Sequence, residues 1–274
     1  MEPLVTVIIP VYNTAEYLTH CLTSIVDQTY HNLQIIAVDD ASSDDSALIL
    51  RTFAEVDPRI TVLTQDHNQG VSAARNAALA ITHGVYTLFV DGDDWVEPTY
   101  VHRFVTMMEV GDYDLVVNPF VLEKDQPHDP ADKLLRKREL TRAQFLDGVR
   151  SPVGEIRGYL WNKIFRTSII ERYHLRFDPD VALMEDELFV VEYGVRAQKF
   201  CFGGHADYHY VMREGSATHG PGEELITVLP QQIMSLHRVN RIIAPSAAVA
   251  SSSRWRPMRR RRKNSRTLFA LRGQ

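Results

Sequence analysis

Acidic side chains occur in two short clusters, and each cluster directly follows a β-rich run of the sequence. Asp39 and Asp40 follow one run, whereas Asp91, Asp93 and Asp94 follow a later one. Carboxylate oxygens are the hard ligands that Mg²⁺ or Mn²⁺ prefers. Two like charges about 4 Å apart repel by roughly 1 kcal/mol in water, and a cation relieves that repulsion. For one acidic pair, solvated loop residues are the simpler interpretation; if both clusters meet, the pattern favours a metal site.

The two clusters meet only if the runs before them lie in one sheet. Near-continuous aliphatic content predicts buried strands at Thr6–Val11 and Leu33–Asp39, and further strands are expected at Ile60–Leu63 and Tyr86–Asp91. Helical spacing separates these strands and predicts helices at Tyr17–Gln28, Asp44–Ala54 and Val71–Ile81. The alternation predicts an α/β fold with a mostly parallel central sheet flanked by helices, and such sheets bind ligands beyond the carboxyl ends of their strands.

After Asp94 the alternation is less regular. The expected strands are Leu115–Val121, Phe200–Phe202 and Tyr208–Met212, with an exposed loop at Glu123–Glu139. The expected helices are Thr99–Glu109, Ala143–Val149, Tyr159–Tyr173, Glu185–Gln198 and Glu223–Ile243. Ser42 and Ser43 are expected to cap the second helix of the chain, since hydroxyl side chains accept hydrogen bonds from free N–H groups at helix starts.

Length and composition exclude several classes of protein. The 274 residues are 45% apolar and 24% charged, which predicts one large globular domain, alone or with a small appendage. All 35 acids lie before residue 244, and this acidic body argues against nucleic-acid binding. Cys21 and Cys201 match no metal-binding spacing, which favours a reducing compartment. No apolar run approaches a membrane span and no signal peptide precedes the first strand, so we expect a soluble, cytoplasmic protein.

Familiar cofactor motifs are also missing. The turn from Pro10 to Glu16 contains no glycine, which excludes a dinucleotide-binding fingerprint, and no P-loop motif occurs. The run from Asp91 fails as a calcium-binding loop, because Val96 and His102 stand where glycine and glutamate are required.

The composition changes abruptly at Ala244. Residues 244–274 contain nine Lys or Arg residues and no acid, with Trp255 and Met258 among them. Three interpretations are open: peripheral attachment to an anionic membrane surface, a disordered tail without a role, or an aberrant C-terminus that replaces a helical continuation. We therefore predict a catalytic domain at 1–243 and a separate basic tail at 244–274.

Four segments of the first hundred residues resemble, in order, the motifs of family 2 glycosyltransferases. They are Val7–Asn13, Val38–Asp44, Asn68–Asn76 and Phe89–Trp95. Ala41 stands where the family usually has glycine. Gly158–Phe165 and Glu185–Phe189 extend the resemblance to about residue 213, and this half is most similar to enzymes that build bacterial capsular, exopolysaccharide or cell-wall glycans.

The resemblance implies a GT-A fold whose first part, about 1–120, binds a UDP-sugar. Tyr12 would stack on the base, Asp39 would accept a hydrogen bond from uracil, and Arg75 would contact the diphosphate. Asp93, with Asp91, would hold Mn²⁺ or Mg²⁺, which acts as a Lewis acid on the departing UDP. The remaining donor-side candidates are Pro10, Asn13 and Asp40.

The second part, about 140–220, would form the acceptor side and supply the base for inverting transfer of a hexosyl or N-acetylhexosaminyl group. The family's E-D motif matches Glu185 and Asp186, and Asp186 is the expected base. Acids are also favoured in any first helical turn, so the spacing alone leaves both interpretations open. The expected acceptor is a glycan or lipid-linked saccharide, and a catalytically inactive sugar-nucleotide-binding subunit is the alternative. The candidate acceptor-side residues are Asp94, Trp161, Asn162, Lys163 and Arg213.

Overall fold

Strands and helices alternate along this computed structural model, which describes residues 1–123, 136–151, 154–181, 183–212, 235 and 237–243. The strands are β1 (Val5–Val11), β2 (Leu33–Asp39), β3 (Ile60–Thr64), β4 (Tyr86–Phe89), β5 (Trp95–Val96), β6 (Leu115–Val117), β7 (Val121–Glu123), β8 (Arg138–Leu140), β9 (Lys163–Arg166), β10 (Phe200–Phe202) and β11 (Tyr208–Val211). The helices are α1 (Ala15–Val26), α2 (Ser46–Val56), α3 (Val71–Leu79), α4 (Tyr100–Gly111), α5 (Arg142–Val149), α6 (Thr167–Arg172) and α7 (Glu185–Gly194). Residues 237–243 are also helical.

The central sheet has eight strands in the order β3-β2-β1-β4-β9-β6-β10-β8. Strands β1 to β4 are mutually parallel, and β10 is parallel to β6. Among the strands in the described residues, β9 and β8 run antiparallel to their neighbours. The predicted mostly parallel sheet is therefore confirmed, and the first four predicted strands agree with the structure except at their ends.

Both faces of this sheet are buried, as the near-continuous aliphatic runs predicted. Val7 and Ile9 of β1 pack into a cluster with α1 and α4, whereas Ile8 packs into a second cluster with α3 and α7. Successive residues of a strand point to opposite faces, so one strand contributes to both layers. The sheet is consequently a rigid platform whose strand ends hold the loops at one edge.

A second, three-stranded sheet in the order β5-β11-β7 lies next to the loop that follows β4. The imidazole of His209 in β11 stacks on the indole of Trp95 in β5, with ring centroids 3.5 Å apart. The two ring nitrogens of His209 lie 2.6 Å from a Glu123 oxygen and 3.0 Å from a Glu97 oxygen. These contacts join all three strands of the small sheet.

The predicted helix at Tyr159–Tyr173 is wrong. Within this segment Lys163–Arg166 form strand β9, and only Thr167–Arg172 form a short helix, α6. Leu160 and Ile164 have helical spacing, but β9 hydrogen-bonds to β4 on one side and to β6 on the other. Pairing on both sides satisfies the backbone of β9, and this tertiary constraint outweighs the local pattern.

Three smaller predictions also need correction. The expected strand at Leu115–Val121 is divided into β6 and β7, which belong to different sheets. The expected loop at Glu123–Glu139 ends in strand β8, because Arg138 and its neighbours pair with β10. Helix α2 begins at Ser46, three residues beyond Ser43, so neither Ser42 nor Ser43 caps it.

Some predictions concern residues that the structure does not describe. Arg213, the basic tail at 244–274 and most of the helix expected at Glu223–Ile243 lie outside the described residues. Within the described part, no helix has both the length and the apolar character needed to cross a bilayer. Cys21 and Cys201 are both buried and neither is in a disulfide.

Gly84, just before β4, lies so close to β1 that a side chain does not fit. A Cβ at this position would lie 2.5 Å from the Thr6 nitrogen and 2.7 Å from the Tyr86 oxygen, and both are backbone atoms. We therefore expect Gly84→Ala to lower the free energy of unfolding by about 1–3 kcal/mol, measured by urea denaturation. The control is His83→Ala, which removes an exposed neighbouring side chain. Equal stability of the two variants would contradict this close packing.

Candidate functional site

The two acidic clusters lie on either side of β1, at the carboxyl edge of the sheet. The Asp40 N–H donates to the carbonyl of Val11 over 2.8 Å, and the Val90 N–H donates to the carbonyl of Ile8 over 3.0 Å. The first bond continues the pairing of β1 with β2, and the second continues its pairing with β4. Sheet pairing therefore brings Asp39 and the turn that begins at Asp91 to the same edge.

At this edge Tyr12 is exposed, whereas Asp39 is buried. The Tyr12 side chain is accessible for stacking because the residue is 46% exposed. An Asp39 carboxylate oxygen accepts a hydrogen bond from the Ser42 N–H over 3.1 Å. A Cβ at Gly92 would lie 3.2 Å from the carbonyl oxygen of Pro10, so the turn after β4 packs directly on the end of β1.

Asn13 and Asp40 use their side chains to build the loops of the site. The amide oxygen of Asn13 accepts a hydrogen bond from the Ser43 N–H over 2.8 Å. The two carboxylate oxygens of Asp40 accept bonds from the N–H groups of Gln69 and Gly70, over 2.7 and 2.8 Å. These bonds orient the start of α3, and the predicted donor contacts of both side chains remain predictions.

Ala41 has a left-handed backbone conformation, with φ of 57°. A residue with a Cβ adopts this conformation at a cost of roughly 1–2 kcal/mol, whereas glycine does so freely. The turn after β2 therefore explains why the family usually has glycine at this position. Asn13 has a similar φ of 51°, which asparagine tolerates better than most residues.

Asp94 lies beneath the turn and not on an open acceptor surface. It is 1% exposed, and its carboxylate accepts hydrogen bonds from the Tyr208 hydroxyl and the Val211 N–H. Burial raises the pKa of Asp94 well above its usual value, and the charges of Asp91 and Asp93 raise it further. The predicted acceptor contact of Asp94 is contradicted by this burial, because its carboxylate supports the turn from below.

Arg75 connects the turn after β4 to the start of α7. Its guanidinium donates to Asp91 over 3.1 Å, to Glu185 over 3.1 Å and to Asp186 over 2.6 Å. The residue is 3% exposed, and burial opposes its charge, but the three carboxylates raise the pKa of Arg75 above its usual value. The sequence hypothesis placed Arg75 against a diphosphate; in this structure, these three carboxylates are its partners.

Asp186 has the electrostatic environment of a general base. Burial raises the pKa of Asp186 to about 7, an effect that Arg75 opposes and the Glu185 charge reinforces. Its second oxygen accepts a long hydrogen bond of 3.4 Å from the Leu160 N–H. A carboxyl group with a pKa near neutrality is half ionised at neutral pH, which suits proton transfer in either direction.

Three predicted acceptor-side residues are interior instead. Trp161 is 3% exposed, and Asn162 and Lys163 are fully buried. Trp161 packs between Tyr159 and Tyr208, with ring centroids 4.7 and 4.5 Å away. The prediction that these three side chains line an acceptor site is wrong, because aromatic stacking and hydrogen bonds within the protein enclose them.

Within the described residues, no group of three or more His, Cys, Asp and Glu side chains is arranged to hold a metal ion. Asp91 and Asp93 are half-buried, and their charges raise the pKa of Asp94. Two carboxylates fit an ion such as Mg²⁺, which takes its other ligands from water and substrate phosphates. The residues present therefore fit a metal shared with a ligand better than a metal enclosed by protein.

Two contacts that orient the site were not predicted from the sequence. The Tyr208 hydroxyl donates to Asp94 and accepts a hydrogen bond from the Asp91 N–H over 3.2 Å. The Leu160 N–H contacts Asp186. A tyrosine in a short strand and a backbone N–H carry no chemical signature in a sequence, so only the tertiary structure reveals them.

Comparison with known proteins identifies the class to which this site belongs. The model for glycosyl transferase family 2 matches residues 6–173. GlyA, a glycosyltransferase of Streptococcus pneumoniae serotype 4, is 33% identical over 225 residues, which are 79% of this chain and 32% of GlyA. EpsH of Bacillus subtilis (strain 168) is 32% identical over 213 residues, which are 76% of this chain and 60% of EpsH. The matched part of this chain thus spans about a third of the length of GlyA and about three fifths of the length of EpsH.

Solved structures show the same fold. TarS 1–349 of S. aureus, in complex with UDP, matches with a TM-score of 0.70 at 19% identity, over 88% of this chain and 65% of that one. The mannosyltransferase PcManGT of Pyrobaculum calidifontis, in complex with GDP-Man and Mn²⁺, matches with a TM-score of 0.60 at 17% identity. The match covers 92% of this chain and 80% of PcManGT. The fold is that of the GT-A class of glycosyltransferases. The chain belongs to glycosyl transferase family 2, and the expected fold is confirmed.

Removal of the Arg75 guanidinium leaves Asp91, Glu185 and Asp186 without their shared cation. We expect Arg75→Gln to reduce the free energy of unfolding by about 3–5 kcal/mol, as for other broken buried ion pairs. Protonation of the carboxylates relieves their repulsion, so the deficit should be smaller at pH 5.5 than at pH 8. Urea denaturation at both pH values measures this difference.

Arg138→Gln is the matched control, because Arg138 pairs with Glu155 at the surface, where both side chains are about two-fifths exposed. This variant should stay within about 0.5 kcal/mol of the unmodified protein. A deficit for Arg75→Gln that does not depend on pH would contradict the electrostatic role of Arg75.

Proposed function

We propose that this chain is an inverting, metal-dependent glycosyltransferase that moves a sugar from a UDP-sugar to a glycan or lipid-linked saccharide. The proposed sugar is a hexosyl or N-acetylhexosaminyl group, and the proposed role is bacterial polysaccharide or cell-envelope synthesis in the cytoplasm. Solved TarS complexes with UDP and UDP-GlcNAc support the donor class. The names of relatives such as the minor teichoic acid biosynthesis protein GgaB of Bacillus subtilis support the setting.

One observation carries this proposal: the carboxylates assigned to the donor and to the base contact a single buried guanidinium. Arg75 Nη2 lies 3.1 Å from Asp91, and Arg75 Nη1 lies 2.6 Å from Asp186. A base for glycosyl transfer has to lie near the sugar carbon that the donor's diphosphate leaves. The shared contact of Asp91 and Asp186 with Arg75 supports that proximity.

On the donor side, Tyr12 would stack on the uracil ring, and Asp39 would accept its N–H. A divalent ion at Asp91 and Asp93 would supply positive charge to the two phosphates of the donor and to the departing UDP. Arg75 pairs with Asp91 at this position, and a diphosphate would compete with the carboxylates for its N–H groups.

Asp186 would remove the proton of the acceptor hydroxyl as that oxygen attacks the anomeric carbon. The bond from this carbon to the diphosphate oxygen breaks, its electron pair leaves with UDP, and the proton stays on the Asp186 carboxylate. Attack from the face opposite the leaving group inverts the configuration, as in hydrolysis by inverting glycosidases. Glu185 shares the guanidinium of Arg75 and would keep the proton affinity of Asp186 high.

We place the acceptor against half-buried aromatic rings next to Asp186 and not against Trp161. Tyr159 and Phe120 pack edge-to-face with centroids 5.8 Å apart, and the Arg157 guanidinium lies 5.6 Å from the Phe120 centroid. Tyr159 directly precedes Leu160, whose N–H contacts the base. Aromatic faces pack well on the C–H surfaces of sugars, which supports a saccharide acceptor here.

We expect Asp186→Asn to lower kcat by about 10²–10⁴-fold, the usual contribution of a general base. UDP affinity should change less than twofold, because the substitution leaves Tyr12, Asp39 and the metal-binding carboxylates in place. In the unmodified protein kcat/KM should rise with pH up to about 7 and then level off, since only the ionised carboxylate accepts a proton. UDP release from a panel of UDP-sugars measures the rates.

Asp180→Asn is the matched control, since it makes the same change on an exposed residue of the preceding loop. Full transfer activity of Asp186→Asn would contradict the role of Asp186. UDP binding without transfer or donor hydrolysis by the unmodified chain would instead favour an inactive sugar-nucleotide-binding subunit.

We expect Asp93→Ala to weaken the Mn²⁺-dependent part of UDP binding by at least about tenfold, the loss seen even when an outer-shell partner of a metal is removed. UDP binding measured by calorimetry in EDTA should not change, because stacking on Tyr12 needs no metal. Asp147→Ala removes an exposed carboxylate of α5 and serves as the control. Equal Mn²⁺ dependence in Asp93→Ala and in the unmodified chain would exclude Asp93 as a ligand.

A further inference from the structure

Lys163, the first residue of β9, has a fully buried ammonium group enclosed by oxygen atoms. Its Nζ lies 3.0 Å from the carbonyl oxygen of Ile156, 2.9 Å from that of Arg157 and 2.5 Å from that of Tyr159. A fourth oxygen, the side-chain amide oxygen of Asn162, lies 2.7 Å away. Three of the four acceptors belong to one short loop, residues 156–159, which we call the anchor loop.

The four acceptors select the charged form of Lys163. An ammonium has three N–H donors, whereas a neutral amine has two donors and a lone pair that would face another oxygen. Burial lowers the pKa of Lys163 well below its usual value, but the Asp186 carboxylate acts in the opposite direction. Without the ammonium, these three carbonyl groups would lose a hydrogen-bond donor, which is unfavourable for groups held away from water.

The anchor loop leads directly to the contact with the proposed base. Leu160 follows the loop, and its N–H lies 3.4 Å from Asp186 Oδ2. Within the loop, Gly158 packs so closely on α7 that a Cβ there would lie 2.7 Å from the Cβ of Glu187. The start of α7 is therefore contacted at two neighbouring residues, at Asp186 by Leu160 and at Glu187 by Gly158 of the anchor loop.

The other end of this connection is fixed in the central sheet. Lys163 pairs with Val117 in the β6–β9 ladder, and the Asn162 side-chain amide donates to the Asn118 carbonyl over 3.1 Å. The ammonium thus joins a loop without regular structure to the most rigid layer of the molecule. A loop of carbonyl groups that converge on one buried cation has little freedom to move away from α7.

We propose that Lys163 is a positioning residue that holds the anchor loop, and through Leu160 the Asp186 carboxylate, in the geometry needed for transfer. The inference rests on the proposed role of Asp186 and adds a residue that contacts neither donor nor acceptor. A purely structural lysine would affect stability alone. A positioning lysine also affects the chemical step, because a displacement of about 1 Å lowers a rate by up to about 100-fold.

The test is Lys163→Met, which keeps the length of the side chain and removes every donor. We expect kcat to fall by about 10–100-fold, while the Kd for UDP with Mn²⁺ changes less than twofold. Asp186 faces Arg75 from α3, Glu185 from α7 and Lys163 from β9. Loss of the Lys163 charge and of the Leu160 contact should move the acidic limb of the kcat–pH profile to higher pH. Lys163→Arg should recover at least part of kcat.

Lys199→Met is the matched control, because Lys199 pairs with Asp112 at the surface; its kcat and pH profile should not change. If Lys163→Met fails to bind UDP, Gly158→Ala replaces it, since the new Cβ moves the anchor loop away from α7 while Lys163 remains. That variant should show the same loss of kcat and the same pH displacement. Unchanged kcat and pH profile in a variant that binds UDP would overturn the inference.

The outcome is separable from that of the proposed function. If Asp186→Asn abolishes transfer and Lys163→Met is fully active, Asp186 remains the base and only the positioning role of Lys163 fails. If Asp186→Asn is fully active, the proposed role of Asp186 as the base fails, and no effect of Lys163 on the pH profile is then expected.

Discussion

The candidate site depends on one buried cation, the guanidinium of Arg75, which three carboxylates share. Burial of an isolated guanidinium is strongly unfavourable, and three neighbouring half-buried carboxylates repel each other, so the cation and the anions stabilise one another here. Asp91 lies beyond the central sheet, and Glu185 and Asp186 begin a helix more than ninety residues later in the chain. The ion cluster therefore forms only when the turn after β4 and the start of α7 are both folded and in contact. The candidate site is thus assembled by the folding of the domain.

The meeting of the two acidic clusters at one sheet edge was predictable because its signals are local. Asp39 and Asp91 follow aliphatic runs long enough to be buried strands, and parallel strands deliver their carboxyl ends to one edge whatever the details of packing. Ala41 departs from the family pattern, but it adopts the left-handed conformation that glycine would have adopted. Sequence patterns are reliable where one element and its boundary decide the position of a side chain.

The surroundings of Asp186 were harder to predict because their geometry depends on groups that no pattern identifies. Lysine is almost never fully buried, yet Lys163, which was predicted to lie on the acceptor side, is enclosed by the protein. Leu160 and Ile164 have helical spacing, yet the chain forms a strand there because two neighbouring strands provide its hydrogen bonds. The contact with Asp186 comes from a backbone N–H, which every residue except proline possesses. Such features follow from tertiary packing and not from the local sequence.

Two carboxylates of raised pKa, the buried Asp94 and the half-buried Asp186, lie near the site, and their partners distinguish their roles. Both oxygens of Asp94 accept hydrogen bonds, one from the Tyr208 hydroxyl and one from the Val211 N–H, so Asp94 holds the turn after β4 against β11. Asp186 has one oxygen on a guanidinium that a diphosphate can attract away, and its other oxygen accepts a long hydrogen bond from a backbone N–H. A carboxylate whose partners are weak or exchangeable can accept a proton from a substrate, whereas one whose partners are short and internal cannot. Differences in hydrogen bonding, more than differences in burial, thus make Asp186 the better candidate for the base.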